Sequence, residues 1–276
     1  MTEPLDMAHF QSWIGREDSA TDVVTAGLVQ KFRATVGLPE TADDLAPRLI
    51  HFCLAIPAVP LDEVGPDGHP KRGGFLPPVP LPRRMWAGGE ISFHGDLRVG
   101  DAVKRTSRIA SVTAKEGRSG TLCFVDVDHK IEANGRLVVE ERHNIVYRDV
   151  NTSTPAAPPA PRGEETRVIT PTPVQLFRYS ALTFNSHRIH YDAPYTKTVE
   201  GYPDLVVHGP LQATLVLHYA AELMGKPPTR FSFRGQSPLF ADAPFTLHSA
   251  REDNRMKLWT ARENGPVAMT AEAVWP

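Results

Sequence analysis

The 276-residue chain carries 30 Lys and Arg against 32 Asp and Glu, and this formal net charge of −2 offers no basic surface for nucleic acid. No apolar run reaches the roughly eighteen residues that a membrane span needs, and the acidic start MTEPLDMAHFQSWIGREDSA fits neither a signal nor a transit peptide. Because Cys53 and Cys123 are the only cysteines, we expect no disulfide framework or thiolate metal site in what should be a soluble, cytoplasmic protein of one or two domains.

Two helices are predicted near the start of the chain. The first covers about residues 22–36 and ends at Gly37, since glycine commonly follows the last helical turn. The second is the apolar segment APRLIHFCLAIP, residues 46–57, which Pro47 opens and Pro57 closes. We expect this second helix to be buried.

A Pro- and Gly-rich insertion, residues 57–89, follows the second helix. It is too long for a simple connection and carries Lys71, Arg72, Arg83 and Arg84. One interpretation is a solvated loop. The other is a lid or rim whose cations meet an anionic substrate tail.

Strands are predicted after the insertion. In TLCFVDVDHKI, Cys123, Val125 and Val127 alternate with more polar residues, which is typical of a strand with one wet face. Asn134-Gly135 then predicts a type I′ hairpin turn. The segment NTSTPAAPPAPRGEE, residues 151–165, should be a stiff connector between an N-terminal domain, 1–150, and a C-terminal domain, 166–276.

The second half repeats this plan. GPLQATLVLHYAAELMGK predicts a helix that Pro210 opens and Gly225 ends, with so little polar face that the sheet should wrap around it. FSFRGQSPLFADAPF, residues 231–245, resembles ISFHGDLRVGDAV, residues 91–103, and Asn264-Gly265 predicts a second type I′ turn.

One buried helix followed by an antiparallel meander, twice over, predicts a tandem α+β fold. The two sheets should join edge to edge, because an open sheet edge invites aggregation. Two unrelated α+β domains are the alternative.

The stretch LTFNSHRIHYD, residues 182–192, crowds polar side chains between a short helix, LFRYSA, and a predicted loop, APYTKT. Such side chains are either solvated or converge on a ligand. VVHGPL follows and places Gly209 at the start of the buried helix, where free amides and the helix dipole would stabilise a carbonyl oxygen that gains negative charge. Glycine permits the close backbone approach that this requires.

The strings FRYSALTFNSHRIHYD, VVHGPLQATL and LPRRMWAGGEISFHGDLRVGD resemble the MaoC-like, R-specific enoyl-CoA hydratases of the hot-dog superfamily. The similarity is strongest to the double-hot-dog branch, which contains mesaconyl-C4-CoA and itaconyl-CoA hydratases and type 2 hydroxyacyl-thioester dehydratases. This resemblance covers about residues 22–275 and implies a double hot-dog fold with one active site, in the second half.

The family motif, Asp-x-Asn-Pro-x-His followed by His-Gly, transfers residue by residue. Its histidine falls on His190 and its oxyanion glycine on Gly209. Its aspartate falls on Asn185 and its asparagine on His187, which are departures, because asparagine cannot act as a general base. His190 then becomes the expected acid or base, Asn185 orients the water, and His187 is a candidate for the second proton transfer.

Further residues are candidates for binding substrate. A buried substrate carboxylate needs a cation, and arginine meets it best. Arg178 and Arg188 lie nearest to the joint in sequence, and Arg83 and Arg84 could reach it if the insertion folds over. Tyr191 and His208 are further candidates for binding substrate. Each candidate also has a structural interpretation: the arginines as surface charges, Tyr191 as a packing residue and His208 as a residue that shapes the turn before Gly209.

The expected function is reversible hydration and dehydration of an acyl-CoA thioester by a hydro-lyase. By resemblance, the substrate is a short branched dicarboxylic enoyl-CoA such as mesaconyl-C4-CoA or itaconyl-CoA. Coenzyme A enters only as part of the substrate, no metal or redox cofactor is implied, and no nucleic acid or membrane partner is expected. A homodimer is left open.

Three alternatives stay open. The first is the same chemistry on a fatty-acid or polyketide chain, carried by coenzyme A or by acyl carrier protein. The second is a thioesterase, although VVHGPLQ offers no carboxylate near the helix start. The third is a non-catalytic protein that binds acyl thioesters.

Overall fold

The computed structural model describes residues 5–117, 120–149 and 157–276. Within these ranges, ten antiparallel strands form one continuous sheet, in the order β1-β3-β4-β5-β2-β7-β10-β9-β8-β6. The strands are β1 Glu17–Val23, β2 Arg83–Phe93, β3 Ala102–Gly117, β4 Gly120–Ala133, β5 Arg136–Arg148, β6 Glu165–Ile169, β7 Arg230–Gly235, β8 Phe245–Glu252, β9 Arg255–Ala261 and β10 Val267–Val274. The helices are α1 Met7–Gln11, α2 Ala26–Val36, α3 Pro173–Leu182, α4 Ala193–Thr198 and α5 Gly209–Met224.

The sheet is a two-fold repeat about the junction between β2 and β7. Five strands in one order lie on one side, and the corresponding five lie in mirrored order on the other. At the junction Ile91 pairs with Phe231, and these residues begin the two segments that the sequence aligned. The edge-to-edge union is therefore confirmed, and the repeated topology is that of a double hot-dog fold.

The alternation in β4 is confirmed, since Cys123, Val125 and Val127 are buried. The type I′ turn at Asn134-Gly135 is also confirmed, because both residues have positive φ, 51° and 78°. The second turn prediction is wrong. Asn264 has a positive φ but Gly265 does not, and five residues separate β9 from β10.

Helix α5 forms the centre of the main core. Nine of its side chains are buried, and Gly225 ends it in the left-handed conformation. The helix also serves the first half, because His218 Nε2 donates to Arg48 O at 3.0 Å and the His218 ring contacts Phe32 of α2. One hydrophobic cluster joins the two halves around this helix.

The buried helix predicted over residues 46–57 is wrong. The segment forms only a short 3-10 helix, Ile50–Cys53, bounded by two residues with positive φ, Leu49 at 68° and Ala55 at 50°. The left-handed conformation interrupts a right-handed helix. The burial was predicted correctly, because Leu49, Ile50 and Leu54 lie in the core shared with α5. The end of α2 at Gly37 is confirmed.

The insertion packs on the second half instead of extending into solvent. The Arg188 backbone N–H donates to Asp67 O at 2.9 Å, and Ser186 Oγ donates to Gly68 O at 2.5 Å. Much of the predicted connector, residues 151–156, lies outside the described residues, and β6 begins at Glu165. No helix in the described part of the chain is long and apolar enough to cross a membrane.

Candidate active site

The polar joint runs from the end of α3 to the start of α4. Thr172 caps the start of α3, and a 3-10 helix, Arg188–His190, follows it. The segment APYTKT, predicted as a loop, is helix α4, because Asp192 accepts the Tyr195 backbone N–H and caps it. Asp192 is therefore the N-cap residue of α4.

His190 is the buried base candidate of the joint. Its side chain is only 7% exposed, and Nδ1–H donates to the carbonyl of Val206 at 2.7 Å. This bond fixes the tautomer, so Nε2 carries the free lone pair. Burial lowers the pKa of His190 to about 4, hence the ring is neutral near pH 7.

His208 packs against the ring of His190. The two rings stack with their centroids 3.6 Å apart, and His208 Nε2 shares a hydrogen bond of 2.8 Å with Ser180 Oγ. Burial holds the pKa of His208 well below its usual value. His208 is thus a neutral packing partner of the base as well as the residue before the turn.

Gly209 begins α5 beside these rings. The first backbone bond of the helix runs from Gln212 N–H to His208 O, so by helix geometry the earlier amides are free to bind an oxyanion. A Cβ at Gly209 would lie 3.0 Å from the Trp86 ring, which comes from the first half. Glycine therefore lets Trp86 pack this closely without a shift of its ring, and no pattern in the sequence indicated Trp86.

Asn185 and His187 precede His190 in the same joint. Asn185 Oδ1 accepts the His187 backbone N–H at 3.0 Å, which leaves its amide nitrogen available for a water or substrate. The His187 and His190 ring centroids lie 5.5 Å apart. Burial, then the charges of His69 and His190, lower the pKa of His187 to about 2, so this ring is also neutral.

The insertion adds two residues that the sequence analysis missed. His69 Nδ1–H donates to Asp67 Oδ2 at 3.0 Å, and the His69 ring lies 4.0 Å from that of His187. The available signal was an Asp-x-His pair inside the glycine-rich turn PDGHP. Only the fold could show that this turn contacts the joint.

Asp67, His69 and His187 are also the described residues whose spacing could suit a metal ion, with ligand atoms within 4.8 Å of one another. The two imidazole rings contact each other, tilted at 39° with their centroids 4.0 Å apart. The Asp67 carboxylate already accepts from His69. The arrangement fits a hydrogen-bonded pair better than a metal centre.

The predicted arginines occupy different environments. Arg188 pairs with Asp192 at 2.8 Å and covers the Tyr195 ring, while Arg178 is exposed on α3. Arg83 donates to Glu200 O. Arg84 is half-buried on β2, and its charge lowers the pKa of both His69 and His187.

A cleft of about 420 Å³ opens beside the joint, between α3 and the insertion. Asn185 and His69 face it, and Tyr191, which donates its hydroxyl to Ser186 O, stands at its exposed rim. Most of the remaining wall is apolar and includes these residues: Val59, Leu61, Val64, Phe177 and Phe184.

Comparison with known proteins shows the family of the chain. The family model described as hydroxyacyl-thioester dehydratase type 2 matches residues 49–241. The chain is 43% identical over 274 residues to the mesaconyl-C(4)-CoA hydratase of Chloroflexus aurantiacus, covering 97% of this chain and 98% of the relative. It is 31% identical over 242 residues to the mitochondrial hydroxyacyl-thioester dehydratase type 2 of Schizosaccharomyces pombe, covering 77% and 79%.

Solved structures support the fold. HtdX of Mycobacterium tuberculosis superposes with a TM-score of 0.70 at 22% identity, covering 93% of this chain and 98% of that one. A second protein of this organism, described as a double hotdog fold, superposes with a TM-score of 0.55 at 13% identity, covering 95% and 96%. The chain therefore belongs to the hydroxyacyl-thioester dehydratase type 2 family, and it is a double hot-dog hydro-lyase.

Proposed function

We propose that the protein reversibly hydrates a short, branched, dicarboxylic enoyl-CoA such as mesaconyl-C4-CoA, with His190, Asn185 and Gly209 at the reacting atoms. The observation that carries this proposal is the pairing of a neutral imidazole, whose Nε2 lone pair is free, with the free amides at the start of α5. A base for water and a site for a thioester oxyanion are the two elements that hydration of an enoyl thioester needs.

In the hydration direction, the Gly209 amide polarises the thioester carbonyl and withdraws electrons from C3. His190 Nε2 takes a proton from water as the water oxygen bonds to C3. The electrons of the C2=C3 double bond move toward the thioester, and C2 then takes a proton. Dehydration runs the same steps in reverse.

Asn185 holds the water in this proposal, although it cannot take the proton. Its carbonyl oxygen is committed to the His187 backbone N–H, so the free amide hydrogens are the groups that would face the water oxygen. When the Asn185 amide donates to the water oxygen, it orients the water so that one of the water protons is directed to His190. The family carboxylate would have accepted from the water instead.

The dicarboxylic substrate is supported by the name of the 43% identical relative and by Arg84. A second carboxylate needs a cation, and the positive charge of Arg84 already acts on His69 and His187. Arg188 is committed to Asp192, and Arg178 lies exposed on α3. The substrate-binding role that the sequence analysis gave to several arginines therefore passes, in our proposal, to Arg84.

A fatty-acyl substrate is the second candidate, favoured by the apolar cleft wall and by the dehydratase name of the 31% identical relative. A panel of enoyl thioesters separates the two candidates. The panel contains mesaconyl-C4-CoA, itaconyl-CoA, crotonyl-CoA and a long-chain enoyl-CoA, and loss of enoyl absorbance is followed. We expect the dicarboxylic thioesters to react fastest. A faster reaction with the long-chain thioester would favour the second candidate, and no reaction with any member would refute hydration.

A further inference from the structure

The Asp67–His69 pair is built into the site although it comes from the insertion. Asp67 accepts the His69 ring N–H through Oδ2 and the His69 backbone N–H through Oδ1, both at 3.0 Å. Among the residues that the structure describes, Asp67 is the only hydrogen-bond partner of the His69 ring. The pair therefore fixes one tautomer, with Nε2 directed away from Asp67.

The fold holds this pair against the catalytic joint. Two hydrogen bonds connect residues 67 and 68 to the joint, from the Arg188 backbone N–H and from Ser186 Oγ. Gly68 has a φ of +89°, and a Cβ there would overlap the carbonyl of Ser186. Contact this close requires glycine. The turn thereby places His69 at the cleft.

The joint itself lacks a carboxylate in contact with its histidines. Asn185 stands where the family motif has aspartate, and the His190 ring bonds to a backbone carbonyl. Asp192 faces away, toward Arg188 and the start of α4. Of the histidines that meet at the joint, His69 is the one with a carboxylate on its ring.

We propose that His69, positioned by Asp67, is the second catalytic group, which exchanges a proton with C2 while His190 exchanges one with the water that adds to C3. This inference rests on the proposed function. In hydration, protonated His69 forms the C2–H bond with its Nε2 proton and becomes neutral. His190 gains the water proton, which returns to His69 through His187 or solvent, so one water is consumed and no net proton.

The electrostatics of the cleft favour this division of labour. Burial lowers the pKa of each ring, to about 4 at His190 and about 2 at His187. At His69 burial is again the largest cause, and Arg84 and Arg72 lower the pKa further, but Asp67 opposes them. The pKa of His69 is therefore lowered overall, but His69 is the ring at the joint whose proton a hydrogen-bonded carboxylate stabilises, whereas His190 is neutral and able to act as a base.

The test uses Asp67→Asn and His69→Gln in the full-length protein, with the pH dependence of kcat/KM as the readout. Removing the carboxylate should move the basic limb of the profile down by about one pH unit, the scale of a close opposite charge. His69→Gln should lower kcat about 10²-fold and remove that limb. His94→Asn is the matched control, because His94 pairs with Glu140 on the exposed surface, and its profile should match that of the wild type.

The outcomes distinguish the two proposals. A wild-type protein that hydrates no member of the panel would refute the proposed function and this inference with it. An active wild type whose Asp67→Asn variant, folded by circular dichroism, keeps an unshifted profile would refute the inference alone. Loss of wild-type activity in EDTA with recovery in Zn²⁺ would also overturn it, since the residues would then hold a metal.

Discussion

Nδ1 of His190 takes no part in the chemistry, but its hydrogen bond determines that Nε2 can act as the base. Because Nδ1–H donates to the Val206 carbonyl, the base is Nε2. A backbone carbonyl cannot take up the proton, so it orients the ring without competing for the charge. Burial and stacking on His208 keep the ring neutral at rest. A neutral base needs no buried counter-ion. This is consistent with Asn185, which stands where the family motif has an aspartate.

Replacing His190 by Gln should therefore lower turnover by at least about 10²-fold, the usual scale for a lost acid or base. On the acid side of the profile, wild-type kcat/KM should fall as the pH drops through about 4, because protonation of His190 removes the base. Stopped-flow absorbance with a fixed enoyl-CoA measures both effects. A wild-type acid limb near pH 6.5 would show an unburied or different base.

Asn185 offers a test of water positioning. Asn185→Asp should keep substantial activity, since a carboxylate can hold the water as in the wider family, whereas Asn185→Ala should lose most of it. The measurement is kcat for both variants, with KM to report on binding. If the alanine variant is as active as the wild type, Asn185 has no part in the reaction.

Arg84 carries the prediction on substrate selectivity. Dicarboxylic C4 or C5 enoyl-CoAs should exceed crotonyl-CoA by more than tenfold in kcat/KM, about 1.4 kcal/mol of discrimination. Arg84→Met should erase this preference and largely spare crotonyl-CoA. The control is Arg178→Met, which removes an exposed arginine from α3 and should leave the ratio unchanged. A ratio that survives in Arg84→Met would assign the carboxylate to another cation.

At the level of elements, the insertion is the part that sequence reasoning could interpret only in outline. Its length and composition indicated either a loop or a lid. The structure packs the insertion on the joint, through hydrogen bonds that the Arg188 backbone N–H and Ser186 Oγ donate to the carbonyls of Asp67 and Gly68. Every residue type has a backbone carbonyl, so the sequence does not reveal contacts made through these oxygens. The exception is the glycine that makes room for them. For this reason the sequence indicated His190 and Gly209 as candidates but gave no indication of Asp67 and His69.

Gly68→Ala should displace the insertion and lower kcat/KM at least tenfold, because its Cβ would overlap the Ser186 carbonyl. Gly73→Ala is a matched control in the same insertion. Gly73 also has a φ of +89°, but its Cβ would meet only Pro78 at an ordinary 3.6 Å. Both variants carry the cost of a left-handed alanine, about 1–2 kcal/mol, so this shared cost cancels in the comparison and any further loss in Gly68→Ala reports the overlap with Ser186. Equal activity in the two variants would show that the contact with Ser186 does not matter.

For the whole molecule, the sequence predicted the repeat and the union of the sheets, but it did not show that the first half forms only a short 3-10 helix where the second half has α5. The segment 46–57 has the composition of a buried helix and is buried, yet it contains left-handed residues at Leu49 and Ala55. Local pattern reports burial well, but it does not show that α5 already occupies the centre of the core. Because α5 fills the centre of the core, the first half contributes the buried segment 46–57, which packs in the core shared with α5, and Trp86, which packs on Gly209.

A shared centre has a thermodynamic consequence, because neither half should unfold alone. Ile109 is fully buried in a cluster whose described members all belong to the first half. Ile109→Ala should cost about 2–5 kcal/mol. Since β2 pairs with β7 and both halves pack on α5, that loss should lower the stability of the second half equally. Hydrogen exchange of β4 and β9 in increasing urea would follow the two halves separately. Their midpoints should coincide in the wild type and fall together in the variant, as a two-state transition requires, whereas a fall in β4 alone would mean that the halves are independent domains.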